Sequence, residues 1–388
     1  METNFEIIAK TFFGLEDVLA KELKDIGAKN IEIKNRAVGF FGDLEMLYKA
    51  NLHLRTAIKI LMPIAKFKVY DAETLYENVK KIEWDKYLRL ENTFSVDASV
   101  FSVFKHTGYP ALKTKDAIVD YFREKFNERP SVDTSSPDMK INLYINKNDA
   151  TISLDTSGEP LFKRNYRKDN VITSLNEVLA AGMILLSEWN AQGNFIDFMC
   201  GSGTLMVEAA MIAHKVPPNI FREGFSFEKW KNFNPEIWEN VLDETLDIKI
   251  SKSDFKDKIL GGDISKNAIE ISKKNINNTI FKNYIDLRTT SFTEMKIPEG
   301  GGTIIIDPPY DERFKEKNVE ILYQKIGDFL KQNCMNYDVW ILSGNREAIK
   351  KIGLRKAKTM TLFNGSLECK FLKYEIYKGS KKNKNNLK

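Results

Sequence analysis

Gly302-Thr303-Ile304-Ile305-Ile306-Asp307-Pro308-Pro309-Tyr310 is the stretch from which the fold is read. Its first five residues form the apolar, β-branched run of a buried strand. Two prolines then stop the strand, since each fixes φ and lacks an N–H. A carboxylate, a stiff turn and an aromatic ring therefore follow one another at a strand's carboxyl end. In open α/β sheets that is where ligands bind. The group suits a flat heterocycle bearing an exocyclic amine: Asp307 and a loop carbonyl accept from the NH₂, and Tyr310 stacks on the ring. A plain strand-terminating turn is the alternative for so short a motif.

Upstream, Asn194-Phe195-Ile196-Asp197-Phe198-Met199-Cys200-Gly201-Ser202-Gly203-Thr204 reads as a strand running into a glycine loop. Leu205–His214 follows as a helix of strong helix formers. Gly201 and Gly203 allow close backbone approach to a ligand, and Ser202 or Thr204 can cap the helix. The loop lacks the lysine of a phosphate-binding P-loop. Met206 stands where G-x-G-x-x-G would end. A glycine loop followed by D-P-P-Y in one α/β half is a far more specific signal than either alone.

These two motifs resemble those of class I S-adenosylmethionine-dependent methyltransferases acting on exocyclic base amines. The longer string Ile196–Ala213 (IDFMCGSGTLMVEAAMIA) resembles the THUMP-domain RNA methyltransferases, including the 23S rRNA guanine-N2 enzymes. Ser153–Gly158, Arg164-Asn165-Tyr166-Arg167 and Leu362-Phe363-Asn364-Gly365 fit the same family, so the resemblance covers nearly the whole chain. It implies a Rossmann-like α/β methyltransferase domain preceded by α+β ferredoxin-like and THUMP domains. It assigns catalysis to Asp307, Pro308, Pro309 and Tyr310. S-Adenosylmethionine would be held by Asp197, Cys200, Gly201, Ser202, Gly203, Thr204, Asp263, Ile264, Ser291 and Phe292. Candidate RNA contacts are Lys105, Lys113, Lys115, Arg164, Arg167 and Asn364. The implied substrate is a structured RNA, ribosomal first, with guanine N2 ahead of adenine N6 and of a tRNA guanine. Three positions depart from the family pattern. Asp307 stands where the ribosomal guanine-N2 enzymes commonly have Asn, Asp311 where Gly is frequent, and Ser291 where an acid or amide commonly contacts adenine.

Composition excludes other classes. At 388 residues the chain has room for two or three domains. No run approaches the ~18 apolar residues of a membrane span, and the start lacks a signal-peptide pattern. Cys200, Cys334 and Cys369 are far apart, as are His53, His106 and His214, so no zinc site is expected and a reducing cytoplasm is. Cys200 reads as a small packing residue rather than a nucleophile. The net charge of +5 is misleading, because Lys378–Lys388 alone holds five lysines and no acid. A basic tail is therefore expected, not a basic surface, on a monomer.

The expected organisation runs in order: residues 1–60, part of the ferredoxin-like domain; 61–157, the THUMP domain; 158–378, the methyltransferase domain with an insertion at 216–258; and 379–388, the tail. Expected N-terminal helices are Gly14–Gly27, Leu44–Asn51, Ala72–Lys81 and Thr114–Phe126, the last capped by Thr114. Strands are expected at Ile141–Asn146 and Ala150–Asp155 around an Asn148-Asp149 turn. The C-terminal half alternates strand and helix, which implies a parallel sheet. The insertion, with a helix around Trp238, displaces Asp263 to 60 residues beyond Gly203, where a simple fingerprint places the ribose-binding acid ~20 residues on.

Overall fold

The structure is a computed structural model that describes residues 4–101, 104, 108–168, 174–246, 255–309 and 316–376. The expected contributions of Tyr310, Lys105, Asp311 and the basic tail lie outside these residues. In chain order the first half holds β1 (Phe5–Lys10), α1 (Glu16–Asp25), β2 (Lys29–Lys34), β3 (Ala37–Gly42), α2 (Leu44–His53), β4 (Lys59–Lys68), α3 (Ala72–Lys80), β5 (Thr93–Phe101), α4 (Gly108–Phe126), β6 (Ser131–Val132), β7 (Met139–Asn146) and β8 (Asp149–Asp155). The second holds α5 (Glu177–Leu186), β9 (Asn194–Asp197), α6 (Thr204–Ala213), α7 (Pro235–Leu246), β10 (Ile259–Asp263), α8 (Lys266–Asn277), β11 (Ile285–Thr289), β12 (Gly302–Ile306), α9 (Glu316–Asn333), β13 (Tyr337–Ser343), α10 (Arg346–Lys351), β14 (Lys356–Asn364) and β15 (Leu367–Glu375). They form two compact units: Met1–Thr11, Leu19–Lys163 and Arg222–Asp247 in one; Phe12–Val18, Arg164–Phe221 and Ile248–Lys388 in the other.

The first unit is built on one eight-stranded sheet, ordered β2-β3-β1-β4-β8-β7-β5-β6. β4 was not anticipated as a strand. It pairs with β1 through Lys59–Leu61 and with β8 through Leu61–Lys68, so it crosses the expected 60/61 boundary and joins two half-sheets. Side-chain caps start the helices where the sequence offers them: Asp43 accepts from the Met46 N–H and Asp71 from the Thr74 N–H. Thr114 is not a cap. α4 starts six residues earlier, and Thr114 is fully buried within it. Pro110 lies in the first turn of α4, where a proline fits because its missing N–H has no intrahelical partner. The β7–β8 turn sits one residue early, at Lys147-Asn148, with Lys147 at φ 54°.

The insertion divides between the units. Arg222–Asp247 clusters with the first. There Tyr48 stacks on Phe227 at 4.4 Å, and Trp238 meets Phe227 edge-on at 5.2 Å. The Arg222 guanidinium donates to the carbonyls of Ser157, Glu159, Pro160 and Lys163.

The second unit is a seven-stranded sheet ordered β11-β10-β9-β12-β13-β15-β14. β15 runs antiparallel to β13 and β14, while the pairings among β11, β10, β9, β12 and β13 are parallel. Its central strands are apolar on both faces: Ile196, Phe195, Ile304, Ile305, Val339 and Trp340 are almost wholly buried. α5 and α6 are buried nearly all round, which explains their uniformly apolar sequence. Phe12–Val18 completes this unit. A Cβ on Gly14 (φ 87°) would lie 2.8 Å from the Thr361 carbonyl oxygen, Leu15 packs on Gly182, and Phe13 meets Phe363 edge-on at 5.7 Å.

Candidate functional site

The chain order of the parallel strands reverses between β9 and β12, which makes a topological switch point there. Asp197 ends β9, Asp263 ends β10 and Asp307 directly follows β12. Three neighbouring strands thus each deliver a carboxylate at their carboxyl ends.

The glycine loop hangs between the first two. Asp197 is buried and its Oδ1 accepts from the Met199 N–H at 3.0 Å. The Gly201 N–H donates to Asp263 Oδ2 at 3.1 Å, and the Ser265 N–H donates to Oδ1 at 2.8 Å. From α8, Ser272 Oγ donates to the Gly201 carbonyl at 2.6 Å and Asn275 to the Ser202 carbonyl at 3.1 Å. Gly203 is left-handed at φ 81°, and a Cβ there would lie 3.2 Å from Ser272 Oγ. Ser202 and Thr204 place their hydroxyls 3.2 Å apart. Ser272 and Asn275 were missed in the sequence. Their signal was a polar residue every three to four positions on the buried face of α8, where apolar residues are usual.

Burial raises the Asp197 carboxyl well above its usual range, and the negative charges of Asp263 and Asp307 raise it further. Burial also pushes the Cys200 thiol up, with Asp197 and Asp263 adding to it. A thiol held in its neutral form in this way is a poor nucleophile. Ile264, beside Asp263, leaves 76% of its surface exposed, which is uncommon for an isoleucine. Ser291 Oγ accepts from the Thr293 N–H at 3.4 Å and lies 2.8 Å from Thr293 Oγ1. Phe292 stacks on Phe198 at 5.6 Å. Pro308 is buried and Pro309 half-buried.

The expected RNA contacts fare differently. Arg164 is a correction: its side chain is wholly buried and paired with Glu208, so it cannot reach a nucleic acid. Arg167 is also turned inward, against Glu177. Lys113 sits over the Tyr76 ring at 5.6 Å and Lys115 pairs with Asp116 at 2.6 Å. Asn364 is half-buried at the end of β14, paired with Leu367. Among the described residues no cluster of His, Cys, Asp or Glu could hold a metal ion, and no helix is long and apolar enough to cross a membrane.

The arrangement fits a cationic nucleoside ligand. Asp263 offers carboxylate lone pairs to a ribose diol. Ile264 offers an apolar face to a base. Gly203, with no side chain, lets the loop pack closely against Ser272 of α8. Three converging carboxylates repel one another, and a sulfonium or ammonium group relieves that repulsion.

Comparison with known proteins agrees with this geometry. Residues 164–373 match a family described as an RMKL-like methyltransferase domain, 69–155 match the THUMP domain, and 6–61 match the RlmL ferredoxin-like domain. A putative RNA methyltransferase of Synechocystis sp. is 34% identical over 367 residues, covering 94% of this chain and 95% of the relative. The ribosomal RNA large subunit methyltransferase K/L of Syntrophotalea carbinolica is 34% identical over 386 residues, covering 97% of this chain and 54% of the relative. The chain thus spans about half the length of that K/L relative. Among solved structures, SMU.472, a putative methyltransferase complexed with SAH, superposes with a TM-score of 0.87 at 30% identity, covering 98% of this chain and 100% of that one.

Proposed function

The chain belongs to the family of RMKL-like methyltransferases that carry RlmL ferredoxin-like and THUMP domains, and from that premise we propose that it methylates an exocyclic base amine of large-subunit ribosomal RNA, with guanine N2 as the target. The observation that carries the reading is the placement of Asp307-Pro308-Pro309 at the switch point, one strand from the glycine loop. S-Adenosylmethionine, when bound, supplies a methyl group activated by the sulfonium.

The chain's own residues supply position rather than acid–base chemistry. Asp263 takes the ribose hydroxyls and Ile264 the adenine plane. The Cys200–Thr204 backbone and Asp197 receive the amino-acid end. An aryl amine is a poor nucleophile because its lone pair is delocalised into the ring. Asp307 and the Pro308 carbonyl accept from the NH₂ and favour a pyramidal nitrogen with its lone pair free. The base must leave its stack to reach them, which suits an RNA presenting an extruded or unpaired nucleotide.

Asp307, where the ribosomal guanine-N2 enzymes commonly have Asn, favours adenine N6 or a tRNA guanine as the second reading. Incubation with undermethylated 23S rRNA, tRNA and duplex DNA, followed by mass analysis of nucleosides, separates these. N2-Methylguanosine in 23S rRNA is expected; N6-methyladenosine, or a preference for tRNA or DNA, replaces the first reading with the corresponding alternative. Asp307→Ala is expected to abolish turnover while cofactor affinity stays within a few-fold. Substantial residual turnover would remove Asp307 from the reaction.

A further inference from the structure

The two arginines expected to face RNA instead grip the helix that follows the glycine loop. Arg164 Nε donates to Glu208 Oε1 at 3.0 Å, and its Nη1 donates to Asn219 Oδ1 at 3.1 Å. The Tyr166 hydroxyl donates to the same Glu208 oxygen at 3.1 Å. Burial, and then the charges of Glu208 and Glu177, keep the Tyr166 phenol well above its usual range, so it stays a neutral donor. Glu208 lies one turn into α6, on the face above Thr204.

Arg167 holds the first residue of that helix. Its Nη1 donates to the Leu175 carbonyl at 2.7 Å and to Thr204 Oγ1 at 3.3 Å. Its Nε and Nη2 form a two-pronged pair with Glu177, at 3.0 and 3.1 Å. The contacts therefore run from Glu177 through Arg167 and Thr204 to Ser202 of the glycine loop. α6 needs such a hold. Its N-cap is Gly203, which has no side chain to cap the helix. Buried ion pairs of this kind carry a desolvation cost and add little net stability, so their use lies in fixing one geometry. The guanidinium's planar fork does this where an ammonium would not.

We infer that Arg164 and Arg167 are positioning residues for cofactor binding: they fix the first two turns of α6 and so the shape of the Cys200–Thr204 loop. The inference rests on the cofactor reading of that loop.

The test is calorimetry of the full-length protein with S-adenosylhomocysteine, together with kinetics at saturating RNA. Arg167→Ala is expected to raise the Kd, and the KM for S-adenosylmethionine, about tenfold while kcat stays within about threefold. Arg167→Lys is expected to restore only part of the affinity. Ile349→Ala, on the buried face of α10, provides a general loss of stability and is expected to leave the Kd unchanged. If Arg167→Ala does not fold, Glu177→Gln carries the same expectation. Unchanged affinity in the folded clasp variant overturns the inference, and so does an equal loss in Ile349→Ala. Failure of the wild-type protein to bind S-adenosylhomocysteine would refute the cofactor reading itself.

Discussion

Asp263 uses one oxygen for the Gly201 N–H and the other for the Ser265 N–H, so the residue that shapes the loop is also the one proposed to hold the ribose. Asp263→Ala is expected to weaken S-adenosylmethionine binding by about 1.5–3 kcal/mol, the range of a hydrogen bond to a charged group. Calorimetry checks this, and an unchanged affinity would place the ribose elsewhere. Gly203→Val is expected to weaken binding for a different reason. Valine resists a φ of 81° and would crowd Ser272, at a cost of about 1–2 kcal/mol from the left-handed backbone alone. Full affinity in that variant would mean that the shape of the loop at Gly203 does not govern cofactor binding. The placement of Asp197, Asp263 and Asp307 was legible because each lies at or just past the carboxyl end of an apolar strand, a position that sequence specifies. Arg164 was not. R-N-Y-R has the polarity of a surface loop, and its partner Glu208 lies 44 residues on, so nothing local announces the burial.

At the scale of elements, α5 and α6 pack together and the Arg167–Glu177 pair lies at the start of both. Burial raises the Glu177 carboxyl to about 7; Arg167 and Arg164 pull it down, and Glu208 pushes it further up. Its folded value thus exceeds the ordinary 4.5. A group raised in this way favours folding fully below its unfolded value, and that contribution is lost as pH rises through the folded one. Between about pH 4.5 and 7, wild-type stability is therefore expected to fall relative to Glu177→Gln. Melting temperatures of both proteins across that window provide the check; parallel curves would show that Glu177 titrates normally. Many elements were legible from periodicity, including β12 to the residue. β4 was hidden by Pro63, which sits at a β-bulge within its pairing with β8.

For the whole molecule, a fragment beginning at Arg164 would hold every cofactor motif, yet it would not hold a complete unit. It lacks Phe12–Val18, and it keeps Arg222–Asp247 without the surface on which that segment packs. Leu15 is fully buried, so its absence alone costs about 1.5–3 kcal/mol. The fragment is expected to melt lower than the intact protein and to bind a hydrophobic dye through Phe225, Phe227 and Trp238. A monodisperse, sharply melting fragment would show that the second unit folds alone.

The interleaving of segments also sets an order on synthesis. The first unit cannot close when Lys163 leaves the ribosome, because it still awaits Arg222–Asp247. At ~5–20 residues per second that wait is about 4–17 seconds, during which Tyr48 has no Trp238 to pack on. Phe12–Val18 waits longer still, until Thr361 and Phe363 emerge. Phe12–Val18, near the start of the chain, therefore stays without its packing surface until nearly all of the chain has emerged.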